Sequence, residues 1–111
     1  MIPGILVPPK IQPFSFGEEA REAGDSVSSV CQLIGDLPMN ISWLMNGRLI
    51  PGGAGSQAEE ESSDISVSQT GRRMSMLAIE AVKHTLAGNY TCFAVNQAGN
   101  ASYSAELKVN G

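Results

Sequence analysis

The placement of two cysteines, one tryptophan and one tyrosine constrains the fold more than any other feature of this chain. Cys31 and Cys92 are the only cysteines, Trp43 is the only tryptophan, and Tyr90 lies two residues before Cys92. A bridge closing so long a loop would stabilise the folded state by roughly 4 kcal/mol in the chain-entropy account. Two other interpretations remain open here: two buried free thiols, or a metal site with His84 that lacks a fourth ligand.

The rest of the chain alternates apolar and polar residues in short segments separated by glycine and proline. Such period-two alternation is typical of β-strands, and no long helical pattern is present. Asn46-Gly47 predicts a two-residue hairpin turn, since both positions tolerate positive φ. About seven strands in about 100 residues indicate a two-sheet sandwich. The predicted strands are 10–16, 27–33, 41–45, 65–67, 75–79, 90–95 and 103–109.

One stretch departs from this rhythm. Residues 52–64 contain no apolar side chain larger than alanine, and the acidic residues Glu59, Glu60, Glu61 and Asp64 lie in it. The composition predicts a surface loop, which is either a tolerated insertion, a recognition loop or a weak cation site. The 111 residues fit a single domain, for which we predict residues 10–111, preceded by a linker-like segment at 1–9.

Charge and composition exclude several functions. The net charge is −4 and the pI about 4.8, which argues against a nucleic-acid partner. No apolar run reaches about 18 residues, so we expect membrane attachment only through an anchor elsewhere in a parent protein. The single histidine, His84, is too little for a nucleophile, a base and an orienting group. We expect no enzymatic activity, no cofactor and no metal.

The residues around the cysteines resemble an immunoglobulin domain of the intermediate (I) set. The likeness is carried by Cys31, Trp43, Leu77-Ala-Ile79 and Gly88-Asn-Tyr90-Thr-Cys92. It implies an all-β, immunoglobulin-like Greek-key sandwich of an ABED and an A′GFC sheet, joined by a Cys31–Cys92 disulfide. It also implies that Trp43, Leu77 and Tyr90 lie in the core, with the Tyr90 hydroxyl bonded to upstream backbone.

One position departs from the pattern of the I set. Where the family usually has an aspartate that pairs with an arginine, this chain has Leu86. The resemblance therefore implies that Arg72 and Arg73 are free for the surface or for another partner.

A narrower resemblance is to the variable immunoglobulin domains of the arthropod Dscam cell-adhesion family, with the shortened chelicerate form as the best fit. It is carried by residues 7–19, 35–43 and 98–110. It implies an extracellular domain at the cell surface, in the ectodomain of a single-pass membrane protein. It also implies that the partner is another copy of the same domain, in an antiparallel homodimer.

Three glycosylation sequons agree with an extracellular location. They are Asn40-Ile-Ser42, Asn89-Tyr-Thr91 and Asn100-Ala-Ser102. Each asparagine must be exposed if it is to carry a glycan, and alternation supports this for Asn40, which is out of phase with inward Trp43, and for Asn89, which is out of phase with inward Tyr90. Together with a disulfide they indicate an oxidising compartment.

Strand parity predicts an unusual outer face on the ABED sheet. If Cys31 and Leu77 point inward, their neighbours on strands B and E point outward, and these carry no charge. Methionine is an adaptable contact residue, and an exposed apolar patch suggests an interface, although a scattered patch on a monomer is the alternative. The candidates for a homophilic interface are Ser28, Val30, Gln32, Met74, Met76 and Ala78, with Arg72 at the rim.

These observations favour isoform-specific homophilic cell adhesion through the ABED face. Two alternatives remain: innate-immune recognition of foreign ligands, which the same family implies, and a structural spacer module without a partner of its own.

Overall fold

The computed structural model describes residues 6–17, 19–50 and 65–110, which form two packed sheets. The first sheet has the strand order β1-β3-β7-β6 and the second β5-β4-β8-β9, all antiparallel. A short parallel pair, β2 with β10, forms a separate two-stranded sheet. The strands are β1 (Lys10–Ile11), β2 (Arg21–Glu22), β3 (Val27–Ile34), β4 (Asn40–Met45), β5 (Arg48–Leu49), β6 (Ile65–Gln69), β7 (Met74–Ile79), β8 (Gly88–Asn96), β9 (Gly99–Leu107) and β10 (Val109–Asn110). The predicted two-sheet sandwich is therefore confirmed.

The strands follow the alternation of the sequence. Every second residue of β3 is buried, beginning with Val27 and including Cys31, while the residues between them are exposed. The turn at Asn46-Gly47 joins β4 to β5 with φ angles of 51° and 86°, as the hairpin prediction requires. Asn46 Oδ1 also accepts a hydrogen bond from the backbone N–H of Asn89 at 3.0 Å, which ties this turn to the start of β8.

The core joins the sheets by one covalent and one polar contact. The Cys31–Cys92 disulfide links β3 to β8 and is fully buried. Trp43 on β4 lies beside it, since its strand partner is Cys92. The Trp43 Nε1–H donates to Ser75 Oγ on the opposite sheet at 3.0 Å, and Ser75 Oγ in turn donates to the Ser68 carbonyl at 3.3 Å. This polar chain gives the buried indole N–H a partner.

The first strand is shorter than predicted. The extended segment 10–16 pairs with β3 only at Lys10–Ile11 and through the Gln12 N–H, which donates to the Gln32 carbonyl. The chain then leaves the sheet and brings two phenylalanines to the core. The ring centroids lie 5.3 Å apart both for Phe14 with Trp43 and for Phe16 with Tyr90.

The connection from β7 to β8 contains a short 3₁₀ helix, His84–Leu86, which is closed by Tyr90. The Tyr90 hydroxyl donates to the Leu86 carbonyl at 2.6 Å, as the resemblance to the I set implied. Burial raises the pKa of Tyr90 to about 12. The Leu86 side chain is itself buried in the core. Arg73, without an aspartate at that position, donates from Nε to the Gly35 carbonyl at 2.9 Å instead.

Replacing Tyr90 by phenylalanine tests this corner. Tyr90→Phe keeps the ring but leaves the Leu86 carbonyl without its partner, so we expect a loss of about 1–3 kcal/mol in the free energy of unfolding in urea. The folded-state pKa of about 12 lies above the ordinary value of 10.0. The stability from the un-ionised hydroxyl is therefore fully present below pH 10 and is lost as the pH rises through 12. This part of the alkaline destabilisation should be missing from the variant.

Tyr103→Phe is the matched control, because Tyr103 is only half-buried. It should unfold at nearly the wild-type urea concentration. Equal effects of the two substitutions would contradict a special role for the Tyr90 hydroxyl.

Candidate interaction surface

The outer face of the first sheet carries a central row of apolar residues. Val30 on β3 pairs with Met76 on β7, which pairs in turn with Ser68 on β6. Val30 and Met76 are 38% and 37% exposed, whereas their neighbours Cys31 and Leu77 are fully buried. The alternation of each strand thus turns one residue into the core and leaves the next in solvent.

Two further rows flank this centre. Ser28 pairs with Ala78 and Ala78 with Ser66, while Gln32 pairs with Met74 on the other side. The register thus brings six predicted candidates onto one face, and we call it the methionine face. It consists of Ser28, Val30, Gln32, Met74, Met76 and Ala78, together with Ser66 and Ser68 of β6. A shallow depression of about 360 Å³ is lined in part by Ser28, Ser66, Ala78 and Glu80.

Charged side chains lie at the two ends of the methionine face. Glu80 is exposed at the end where β3 begins, and the Ser26 hydroxyl donates to its carbonyl. Lys10 and Arg73 lie at the other end, where Lys10 pairs with Ile34 and the Arg73 carbonyl accepts from the Leu33 N–H. Arg72 lies in the turn before β7, at the rim of the face, with Leu37, Pro38 and Met39 nearby around a second depression.

Each end also carries one residue of the opposite sign. Lys83 follows Glu80 in the connection to β8, and Asp36 lies in the loop after β3. The Asp36 carboxylate accepts a hydrogen bond from the Val7 N–H at 2.6 Å. By these residues the end with Glu80 has no net charge, the end with Lys10, Arg72 and Arg73 has a net charge of about +2, and the face between them has no charge.

The outer face of the second sheet is also partly apolar, which the sequence analysis did not identify. Leu44, Phe93 and Val95 point outward from β4 and β8, and Leu49 on β5 pairs with Leu44 and is 68% exposed. The same parity rule, applied to the residues beside Trp43 and Cys92, would have found them. We call Leu44, Leu49, Phe93 and Val95 the leucine–phenylalanine patch. The three sequon asparagines, all exposed, lie on this sheet: Asn40, Asn89 and Asn100.

The described residues contain no cluster of metal-binding side chains and no unpaired buried polar side chain. Within residues 6–17, 19–50 and 65–110, no three histidine, cysteine or acidic side chains come together as metal ligands would. Every buried side-chain nitrogen or oxygen in these ranges has a hydrogen-bond partner. None of their helices is long and apolar enough to cross a membrane. The acidic stretch 52–64, predicted to be a surface loop, lies outside the described residues.

Comparisons with known proteins agree with the architecture. The family model for the immunoglobulin I-set domain matches residues 14–109. The chain is 37% identical to the cell adhesion molecule Dscam1 of Drosophila melanogaster over 96% of its length, and 36% identical to human DSCAM over 95%. It superposes on the crystal structure of the Dscam1 Ig7 domain, isoform 5, with a TM-score of 0.83 and 35% identity, covering 94% of this chain and 98% of that one.

The chain spans only a small part of these curated relatives. It covers 5% of the length of Drosophila Dscam1 and 5% of human DSCAM. The match therefore concerns one immunoglobulin domain within a much longer adhesion molecule.

A pair of glutamate substitutions tests the assignment of inner and outer residues. Met76→Glu places a charge on the exposed face, so we expect the free energy of unfolding to fall by less than about 1 kcal/mol. Leu77→Glu buries an unpaired carboxylate in the core, which should prevent folding at neutral pH. Circular dichroism and urea unfolding measure both effects. A reversed order of stability would contradict the strand parity.

Proposed function

This chain belongs to the immunoglobulin I-set family and is related to the Dscam cell adhesion molecules, and we propose that it is an extracellular recognition domain that binds a second copy of itself. The proposed contact is the methionine face, and the parent is a single-pass cell-surface protein. The observation that carries the proposal is the uncharged central row, in which Val30 and Met76 are both exposed. Solvent-exposed sheet faces usually carry polar and charged residues, whereas the centres of protein interfaces are apolar.

The row suits a two-fold contact. An axis that lies between two such faces and runs across the strands makes the strands of the two copies antiparallel. It also places each residue of the row opposite the same residue of the second copy. Met76 would lie opposite Met76 and Val30 opposite Val30, so the centre of the contact would be apolar on both sides.

The end charges favour the antiparallel arrangement over the parallel one. An antiparallel contact brings Glu80 of one copy toward Lys10 and Arg72 of the other, and the same again at the opposite end. A parallel contact would bring the two basic ends together and would leave both Glu80 side chains far from them. These charges lie at an exposed rim, so they select orientation more than they add affinity.

The size of the face limits the strength of the contact. Four strands spaced about 4.8 Å apart, and the 8 residues of β3 at about 3.4 Å each, give a footprint of about 500 Å². Stable interfaces typically bury about 800 Å² on each partner. The isolated domain should therefore associate weakly, and adhesion would rely on many copies or on further domains of the parent.

Opposite charges at position 76 test the self-facing geometry. Wild-type domain produced without glycans should show a concentration-dependent dimer in sedimentation equilibrium. Met76→Glu and Met76→Lys should each be monomeric, because identical charges would be placed opposite each other and desolvated. An equimolar mixture of the two should recover a one-to-one complex. Ser102→Glu, on the outer face of the second sheet, is the matched control and should dimerise like the wild type.

Three results would overturn the proposal. A strictly monomeric wild type at about 1 mM would exclude homophilic binding of useful strength through this domain alone. Dimers that survive Met76→Glu would place the contact elsewhere. A mixture that stays monomeric would show that position 76 does not face itself.

A further inference from the structure

The three sequons occupy one side of the domain. In a strand, residues i and i+2 point to the same side, so each asparagine shares its face with the hydroxyl residue that completes its sequon. Asn40 on β4 and Asn100 on β9 both pair with Val95, from its two sides. Asn89 lies at the opposite end of β8, where it pairs with Glu106. All three asparagines therefore point outward from the second sheet.

Between these asparagines lie Leu44, Phe93 and Val95 of the leucine–phenylalanine patch and small hydroxyl side chains. Phe93 pairs with Ser42 on one side and with Ser102 on the other, which leaves open space around its ring. Thr91 and Ser104 share a hydrogen bond of 2.7 Å on the same face. An apolar group set among small polar residues has room for a sugar ring packed against it.

The strands of the first sheet contrast with this arrangement. The segments β1, β3, β6 and β7 contain no asparagine, so no sequon lies on the methionine face. Two apolar faces are thus exposed on this domain, and attachment points for carbohydrate are present on only one of them.

We propose that the outer face of the second sheet is a carbohydrate-bearing face, on which N-glycans at Asn40, Asn89 and Asn100 cover Leu44, Phe93 and Val95 and exclude protein partners. The donor is a lipid-pyrophosphate-linked oligosaccharide of the secretory pathway. The side-chain nitrogen of asparagine forms a bond to the anomeric carbon of the first sugar, the bond from that carbon to pyrophosphate breaks, and one amide proton is released.

The spacing of the sites supports such coverage. Asn40 and Asn100 are two strand spacings apart, which is about 10 Å, so their first sugars would flank Val95. The Asn89 glycan would cover the other end of the face. A second protein could not approach the sheet without displacing these chains, so the glycans leave the methionine face as the accessible apolar surface. The inference does not depend on homophilic binding, since it concerns the opposite sheet.

Occupancy and coverage are measured on one preparation. The domain is secreted from mammalian cells, and peptide mass spectrometry after enzymatic deglycosylation in heavy-oxygen water identifies the occupied asparagines. Hydroxyl-radical footprinting then compares the glycosylated protein with the deglycosylated protein. We expect all three sites to be occupied, and Phe93, Val95 and Leu44 to be oxidised several-fold less with the glycans present. Met76 should react equally in both forms and is the internal control.

A variant that cannot be glycosylated controls for changes that the deglycosylating enzyme makes to the protein. Asn40→Gln/Asn89→Gln/Asn100→Gln changes only exposed side chains and should show the high Phe93 reactivity of the deglycosylated protein. Empty sequons, or Phe93 reactivity that is the same with and without glycans, would overturn the inference. Neither result would contradict the dimer measured by sedimentation. Conversely, a monomeric domain in which the glycans protect Phe93 would contradict the dimer proposal but still support this inference.

Discussion

The Cys31–Cys92 bridge is the constraint on which the rest of this structure depends. It joins β3 to β8 at fixed positions, so it decides which residues of both strands face the core. Residues paired across two strands point to the same side of the sheet, so the bridge also fixes which residues of the neighbouring strands face the core. Cys31 pairs with Ser75 on β7 and Cys92 pairs with Trp43 on β4. The hydrogen bond from Trp43 Nε1 to Ser75 Oγ then links the same four positions from sheet to sheet. The residues between these buried positions point outward and form the outer faces of the two sheets.

Local rules predicted much of the fold. The alternation of β3 and the turn at Asn46-Gly47 each depend on residues close in sequence, whereas the hydroxyl contact of Tyr90 was implied by the resemblance to the I set. The early end of β1 at Ile11 was not predicted, because the apolar residues Phe14 and Phe16 beyond it imitate a continued strand. Their rings contact Trp43 and Tyr90 instead.

Other contacts could not be obtained from the sequence, since they depend on how distant segments meet. In the sequence, Ser75 is an ordinary polar residue of a strand. Its role as acceptor for the Trp43 indole N–H depends on how the two sheets pack. Arg73 was expected to be free for the surface or for another partner, and the sequence does not show that this partner is the Gly35 carbonyl, in the loop after β3. The candidate surface was predictable in composition, but its rows required the register between β3, β7 and β6.

The two sheets thus give the domain two different apolar surfaces, one with sequons and one without. The central claim is that the methionine face is the self-recognition surface, and methionine methyl groups report on it directly. In ¹³C-methyl-labelled protein, the signals of Met74 and Met76 should shift with protein concentration, while those of Met39 and Met45, packed in or against the core, should stay constant. Concentration-independent Met74 and Met76 signals in a sample that is dimeric by sedimentation would contradict the claim.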